Sequence, residues 1–195
     1  YYRPARETWE SLCARPRIST EDINDTVFSI IENVCLKGDE ALLQYCEKYD
    51  GVRPSALRVT EAEFEEAAAS VPDSLKKAIA TARKNIEKFH FSIMNPDPSM
   101  VVISTGISCR VKYVPVERAG LYVPGGSAPL FSTVLMLGIP ARLAGCSDII
   151  LCTPPQKDGK VNDVILYTAG LLGIGKVFKA GGAQAIAAMA FGTQT

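Results

Sequence analysis

The chain has 195 residues, of which 47% are hydrophobic, and this is enough to build the core of one ordinary domain or of two small ones. Its 21 basic side chains balance its 21 acidic ones, so no overall field favours nucleic acid, an anionic membrane or an acidic partner. No apolar run reaches membrane-spanning length, and the start lacks both a secretory apolar stretch and an initiator Met. We therefore expect a cytoplasmic protein, trimmed at its start, that binds neither nucleic acid nor membranes.

The cysteines and the histidine argue against the common metal and thiol sites. The six cysteines form no C-x-x-C pair, and the single histidine, His90, leaves no usual partner for a zinc site or a thiol protease. We interpret the cysteines as buried, reduced thiols. No metal ligand is expected within the chain.

The first part of the chain is predicted to be helical, because apolar residues recur there at helical spacing. Four helices are expected up to about residue 91, and the longest begins near residue 72. A capping-box pattern at Ser19 precedes the first helix, whose apolar face includes Ile23, and a similar pattern at Thr60 precedes the third. The pair Asp50-Gly51 is interpreted as the stop signal of the second helix.

Short strands are predicted around these helices. Residues 57–59 form one candidate strand before the third helix. After a proline-rich break at 95–98, residues 100–104 and 108–116 alternate in hydropathy as strands do, with Gly106 between them. This pattern predicts a hairpin.

The chain changes character near Gly120, which we interpret as a domain boundary. Residues 120–195 hold 12 of the 15 glycines but only 5 of the 21 basic and 3 of the 21 acidic side chains. Alternation of short apolar strands with helices predicts a parallel sheet with right-handed crossovers. The strands are expected at 121–123, 148–153 and 176–179, and the helices at 133–143, 163–172 and 183–191.

Two glycine turns at the predicted carboxyl ends of strands form the candidate ligand site. They are 122–127 (YVPGGS) and 181–184 (GGAQ), where backbone can approach a ligand and helix amino termini supply free N–H groups. Neither turn is a G-x-G-x-x-G fingerprint, and no acidic residue stands at the usual distance to hold a ribose. From the residues alone, nucleotide binding and simple tight packing remain alternatives.

Tyr122 and Gln184 are the candidate contact residues. Tyr122 offers a flat ring and a hydroxyl at a strand end, and its alternative role is that of a core aromatic. The amide of Gln184 can donate and accept, and its alternative role is to cap the helix that follows. The other polar residues near the turns are interpreted as structural: Ser127, Ser132 and Thr133 as helix caps, His90 as a structural histidine and Cys152 as a buried thiol.

Several runs resemble the histidinol dehydrogenase family, namely 117–130 (ERAGLYVPGGSAPL), 132–137 (STVLML), 151–155 (LCTPP) and 181–193 (GGAQAIAAMAFGT). Shorter earlier segments resemble it too, so the resemblance covers the chain in order. It implies an α/β fold with a helical amino-terminal part, a small hairpin and an incomplete Rossmann-like parallel sheet. We therefore divide the chain into an arm at 1–18, a helix-rich first domain part at 19–119 and a nucleotide-side domain at 120–195.

The resemblance also implies a function. The family oxidises L-histidinol through an aldehyde to L-histidine with NAD and zinc, as the last step of histidine synthesis, and it works as an intertwined homodimer that uses the amino-terminal arm. Tyr122 and Gln184 match family positions that contact NAD. In the family, the zinc ligands, the acid–base pair and the substrate contacts lie further along the chain than the position that matches Thr195. The resemblance therefore implies that this chain alone holds no catalytic residue or metal ligand and is inactive.

Two other functions stay open from the sequence. A sister NAD-dependent alcohol dehydrogenase of the same fold would share these features, because the residues that select the substrate lie outside the chain. A nucleotide-binding module without chemistry is the other alternative, and a stop codon after Thr195 in the gene would favour it.

Overall fold

The computed structural model describes residues 2–14, 21–94, 99–126 and 128–195, which form eight α-helices and five β-strands. The helices are α1 (Trp9–Cys13), α2 (Glu21–Lys37), α3 (Asp39–Tyr45), α4 (Glu61–Ser70), α5 (Asp73–Ile93), α6 (Phe131–Ala144), α7 (Asp163–Leu171) and α8 (Gly182–Phe191). The strands are β1 (Val101–Ser104), β2 (Ile107–Cys109), β3 (Arg118–Tyr122), β4 (Asp148–Thr153) and β5 (Lys176–Lys179). A 3-10 turn at Arg6–Thr8 precedes α1, and a π-helical turn at Cys46–Asp50 extends α3.

The predicted parallel sheet is confirmed, with strand order β3-β4-β5. The strands β4 and β5 have the predicted bounds, but β3 begins at Arg118, because Arg118 pairs in register with Asp148. The apolar pattern missed this start, since an arginine and a glycine stand in the first half of the strand. Residues 57–59 line the outer edge of β5 through an antiparallel bridge between Arg58 and Phe178.

Side chains alternate across this sheet, so its two faces pack against different helices. Leu121, Leu151 and Val177 are buried on the face that α6 and α7 cover. Tyr122 and its neighbours on β4 and β5 lie on the face that α8 covers. The helices α4 and α5 pack on α7 and α6, so residues before and after Gly120 share one core. The division into domains at Gly120 stays a prediction.

The helical first part is confirmed, with some differences in which residues it buries. Thr60 and Glu63 form the predicted capping box ahead of α4, and Gly51 ends the π-helical turn with a φ of 73°. Ile23 is 52% exposed although its spacing placed it on the apolar face, because the part of α2 that joins the core begins at Ile30. The capping residue Ser19 and the break at 95–98 lie outside the described residues.

The predicted hairpin is present around Gly106, whose φ is 82°. Its second strand has three residues instead of extending to residue 116, because β1 offers only four residues for pairing. The described residues of the arm, 2–14, are all exposed. Its proposed place across a dimer stays a prediction.

Candidate functional site

Three loops meet where the parallel strands end. They follow Tyr122 of β3, Thr153 of β4 and Lys179 of β5, and they line a cavity of about 910 Å³. Parallel strands place their carboxyl ends at one edge of a sheet, so this convergence follows from the topology. The first part of the chain also contributes to the lining, since Tyr49 and Asp50 line the same cavity.

Pro154 packs between the two glycine turns and holds the three loops together. A Cβ on Gly125 would lie 2.7 Å from Cγ of Pro154, and a Cβ on Gly181 would lie 2.7 Å from Cβ of Pro154. Real Cβ contacts essentially never reach this distance. The glycines are therefore needed for close packing. This supports tight packing as a role of the turns and does not exclude nucleotide binding, the other alternative that the sequence left open.

Tyr122 joins two of these loops through its side chain. Its hydroxyl accepts a hydrogen bond from the backbone N–H of Gly182 at 2.9 Å, and Gly182 is the first residue of α8. The ring is half-buried and lines the cavity, so Tyr122 is more than a core aromatic. Because a phenol oxygen can accept and donate at once, the hydroxyl hydrogen can still be donated to a ligand.

Gln184 carries an unpaired polar atom at the cavity. The residue is 2% exposed, and its Oε1 has no hydrogen-bond partner among the residues that the structure describes. No side chain caps the amino end of α8, so the predicted alternative of a helix cap is not what this amide does. An unsatisfied buried acceptor costs about 1–3 kcal/mol. A ligand that donates a hydrogen bond in the cavity would remove this cost.

Asp50 is a cavity residue that sequence reasoning missed, since it was interpreted only as part of a helix stop signal. That interpretation is confirmed by the αL conformation of Gly51. In addition, Oδ2 of Asp50 is buried and has no hydrogen-bond partner within the described ranges. Burial raises the pKa of this carboxyl above its ordinary value. No local signal places a residue of the first helices opposite a glycine turn about 70 residues later.

Comparisons with known proteins point to one family. The family model described as histidinol dehydrogenase matches residues 13–195. The chain belongs to the histidinol dehydrogenase family. It is 49% identical over 192 residues to the histidinol dehydrogenase of Bacteroides thetaiotaomicron, covering 98% of this chain and 45% of that protein. It is 48% identical over 190 residues to that of Salmonella typhimurium, covering 97% and 43%.

A solved structure confirms the predicted α/β fold. The crystal structure of histidinol dehydrogenase from Elizabethkingia anophelis matches with a TM-score of 0.90 at 47% identity, covering 98% of this chain and 44% of that one. This chain thus spans less than half the length of the histidinol dehydrogenases it matches. The predicted membership of the family is confirmed.

Three other candidate residues, Ser132, Thr133 and His90, do not line the cavity. Ser132 and Thr133 stand in the first turn of α6 without lining the cavity, and Ser127 lies outside the described residues. His90 contacts the ring of Phe89 edge-on and lines a separate groove on α5. Within the described part of the chain, no three His, Cys, Asp or Glu residues come together to hold a metal ion. None of the helices described there is both long and apolar enough to cross a membrane.

The prediction that all six cysteines are buried is wrong for three of them. Cys13, Cys35 and Cys109 are exposed, because they lie on a short terminal helix, on the outer face of α2 and on the hairpin. Cys46, Cys146 and Cys152 are buried, as predicted. All six are free thiols.

We expect iodoacetamide to separate these two sets of thiols. The thiolate is the reacting form, and burial raises the pKa of Cys46 and of Cys152 to about 12. In the folded protein at mildly alkaline pH, three adducts should form quickly by mass spectrometry, against six after denaturation. Rapid alkylation of Cys152 in the folded protein would contradict this expectation.

Proposed function

We propose that the cavity at the strand ends binds NAD and that the chain is the nucleotide-side part of an enzyme that oxidises L-histidinol to L-histidine. The observation that carries the proposal is Gln184, whose buried Oε1 lacks a partner beside the Tyr122–Gly182 contact. NAD supplies a hydride acceptor when bound. Its amide and hydroxyl groups are donors of the kind that this oxygen requires.

The charges and shapes of the cavity fit the rest of a dinucleotide. The amino end of α8 lines the cavity at Gly182 and Ala183, and the N–H of Gly182 is already bonded to Tyr122. The N–H groups that follow it at the helix start can attract phosphate. Lys157 is exposed at the rim and is the basic residue among the described lining residues. In this proposal Tyr122 orients a ring or ribose, Gln184 accepts a hydrogen bond and the glycine turns admit the pyrophosphate.

Zinc does not fit the residues that are described, since they bring no three ligands together. We propose that zinc, the acid–base groups and the substrate contacts belong to the part of the family's length that this chain does not span. It follows that the chain alone is inactive. We also propose a cytoplasmic homodimer in which the arm at 1–18 reaches the partner subunit.

The test is NAD titration into the full-length protein. Tyr122→Ala and Gln184→Ala should each weaken NAD binding by about ten- to a hundredfold, the equivalent of one lost stacking face or amide contact worth about 1–3 kcal/mol. Tyr122→Phe should lose less, because the ring remains. Zinc content should be unchanged in all three variants, since we propose that the zinc site belongs to the part of the family's length that this chain does not span.

Gln44→Ala is the matched control for Gln184→Ala. Gln44 is exposed on α3 and its amide pairs with Glu40, away from the cavity. The Gln44→Ala variant should leave NAD affinity unchanged. Unchanged affinity in folded Tyr122→Ala and Gln184→Ala would show that the turns serve packing alone.

A further inference from the structure

The wall of the cavity that faces the glycine turns ends in a carboxylate. Asp50 and Tyr49 close the π-helical turn and line the same cavity as Tyr122 and Gln184. Oδ2 of Asp50 is buried and lacks a hydrogen-bond partner among the described residues. Burial raises the pKa of this carboxyl, because water solvates a buried carboxylate incompletely. Asp50 is therefore a second residue of the cavity lining, besides Gln184, with a buried acceptor that lacks a partner.

Asp50 is fixed relative to the glycine turn of β5 by backbone and thiol contacts. Sγ of Cys46, at the start of the same π-helical turn, donates to the carbonyl oxygen of Lys179 at 3.3 Å. Lys179 stands two residues before Gly181. The N–H of Val52 donates to the carbonyl of Cys46 and closes the turn around Asp50. The backbone that carries Asp50 is thus held beside the end of β5.

The chemistry of this wall selects a neutral ligand group with several donors. Asp50 is the acidic residue among the described lining residues, so it has no second carboxylate with which to bind a metal ion. A pair of neighbouring hydroxyls offers two hydrogens to one carboxylate. Tyr49 stacks on Tyr45 at 5.7 Å and keeps half of its surface exposed beside Asp50, where a flat apolar ring can cover a sugar.

We propose that Asp50 binds the hydroxyls of a ribose of the dinucleotide. It would replace, from the first helices, the acidic residue that dinucleotide sites carry at the end of the second strand, where β4 of this chain ends in Thr153. The inference rests on the proposed NAD site. NAD contains two riboses, on the adenine side and on the nicotinamide side, and the experiment distinguishes them.

The experiment measures the dissociation constants of NAD and of two analogues with the full-length protein. One analogue lacks a ribose hydroxyl on the adenine side and the other lacks one on the nicotinamide side. The wild type should bind one of them about ten- to a hundredfold more weakly than NAD, as expected for a lost hydrogen bond to a charged group. The Asp50→Ala variant should show a similar loss of affinity for NAD, and it should bind that analogue as well as it binds NAD.

Two further variants make the result decisive. Asp50→Asn keeps the shape and removes a poorly solvated charge, so it should fold at least as well as the wild type and discriminate less between NAD and the analogue. Glu47→Gln removes the same charge from an exposed position of the same turn, where Arg53 lies 3.8 Å away. It should behave as the wild type.

The outcomes separate this inference from the proposed function. The Asp50 proposal is overturned if Asp50→Ala and Asp50→Asn discriminate between NAD and the analogues as the wild type does. It is also overturned if the wild type is indifferent to both analogues. When Tyr122→Ala and Gln184→Ala weaken NAD binding while both Asp50 variants do not, only the Asp50 proposal fails. When no variant weakens it, the NAD site itself fails.

Discussion

Lys179→Met should lower the free energy of unfolding by about 3–5 kcal/mol, as removal of one partner from a buried ion pair does. Nζ of Lys179 lies 2.6 Å from Oε1 of Glu63, and the two side chains are only 6% and 14% exposed. Without the lysine, the carboxylate of Glu63 stays buried beside an apolar side chain. Urea unfolding at neutral pH, followed by circular dichroism, measures the loss.

Two controls test whether burial causes the effect. The double variant Lys179→Met with Glu63→Gln should regain most of the lost stability, because both charges are gone and a glutamine oxygen can still accept from the N–H of Thr60. Lys176→Met removes an ion pair of similar length, 2.8 Å to Asp148, from the same strand. That pair is exposed, so its loss should lower the free energy of unfolding by less than about 1 kcal/mol. Equal losses at Lys176 and Lys179 would contradict the explanation.

The same pair predicts how stability depends on pH. Burial alone would raise the pKa of Glu63, but the hydrogen bonds from Lys179 and Thr60 outweigh it and hold the pKa below its ordinary value. Stabilisation from a lowered pKa is present above the unfolded pKa of about 4.3 and disappears as the pH falls through the folded pKa. Acid titration of stability should therefore be steeper in the wild type than in the double variant.

Gly181→Ala should weaken NAD binding by about tenfold and lower the free energy of unfolding by about 1–3 kcal/mol, the usual range for overpacking. Its new Cβ meets Cβ of Pro154 at 2.7 Å and Cα at 3.4 Å, so the loop after β4 and the start of α8 must separate. The same holds for Gly125→Ala, whose Cβ meets Cγ of Pro154. Titration calorimetry and urea unfolding of the full-length variants measure both effects.

The atoms involved allow a sharper version of this test. Pro154→Ala removes Cγ and keeps Cβ, so it should rescue Gly125→Ala but not Gly181→Ala. Gly126→Ala is the control for the stability measurement, because its Cβ would meet nothing closer than 3.8 Å. Rescue of both variants, or of neither, would show that Pro154 does not hold the turns as described.

The sheet and the two glycine turns could be predicted because their signals are local. Both β4 and β5 are short apolar runs bounded by polar or glycine residues, and their predicted bounds match the observed ones. Tyr122 and Gln184 were placed by the rule that parallel strands end at a common edge, and the structure puts both in one cavity. Their contact with NAD stays a prediction.

What escaped prediction depends on distant parts of the chain. Asp50 lines the same cavity as the glycine turns because its π-helical turn packs on the end of β5, where Cys46 bonds to Lys179 across 133 residues. The Lys179–Glu63 pair likewise depends on where α4 packs, and a lone lysine at a strand end gives no sign of it. Phe89 has the helical spacing of a core residue but is 60% exposed, because periodicity identifies a face without showing where the covering element stops.

Residues 57–59 also determine at which edge of the sheet a further strand can pair. They occupy the outer edge of β5 with N–H groups and carbonyls already paired to Val177 and Lys179. In contrast, β3 has one strand neighbour among the described residues. A further parallel strand can therefore join only beside β3, and the crossover that delivers it must run in the direction opposite to the two before it. Such a reversal opens a crevice between the outgoing loops, and Tyr122 would stand at its mouth.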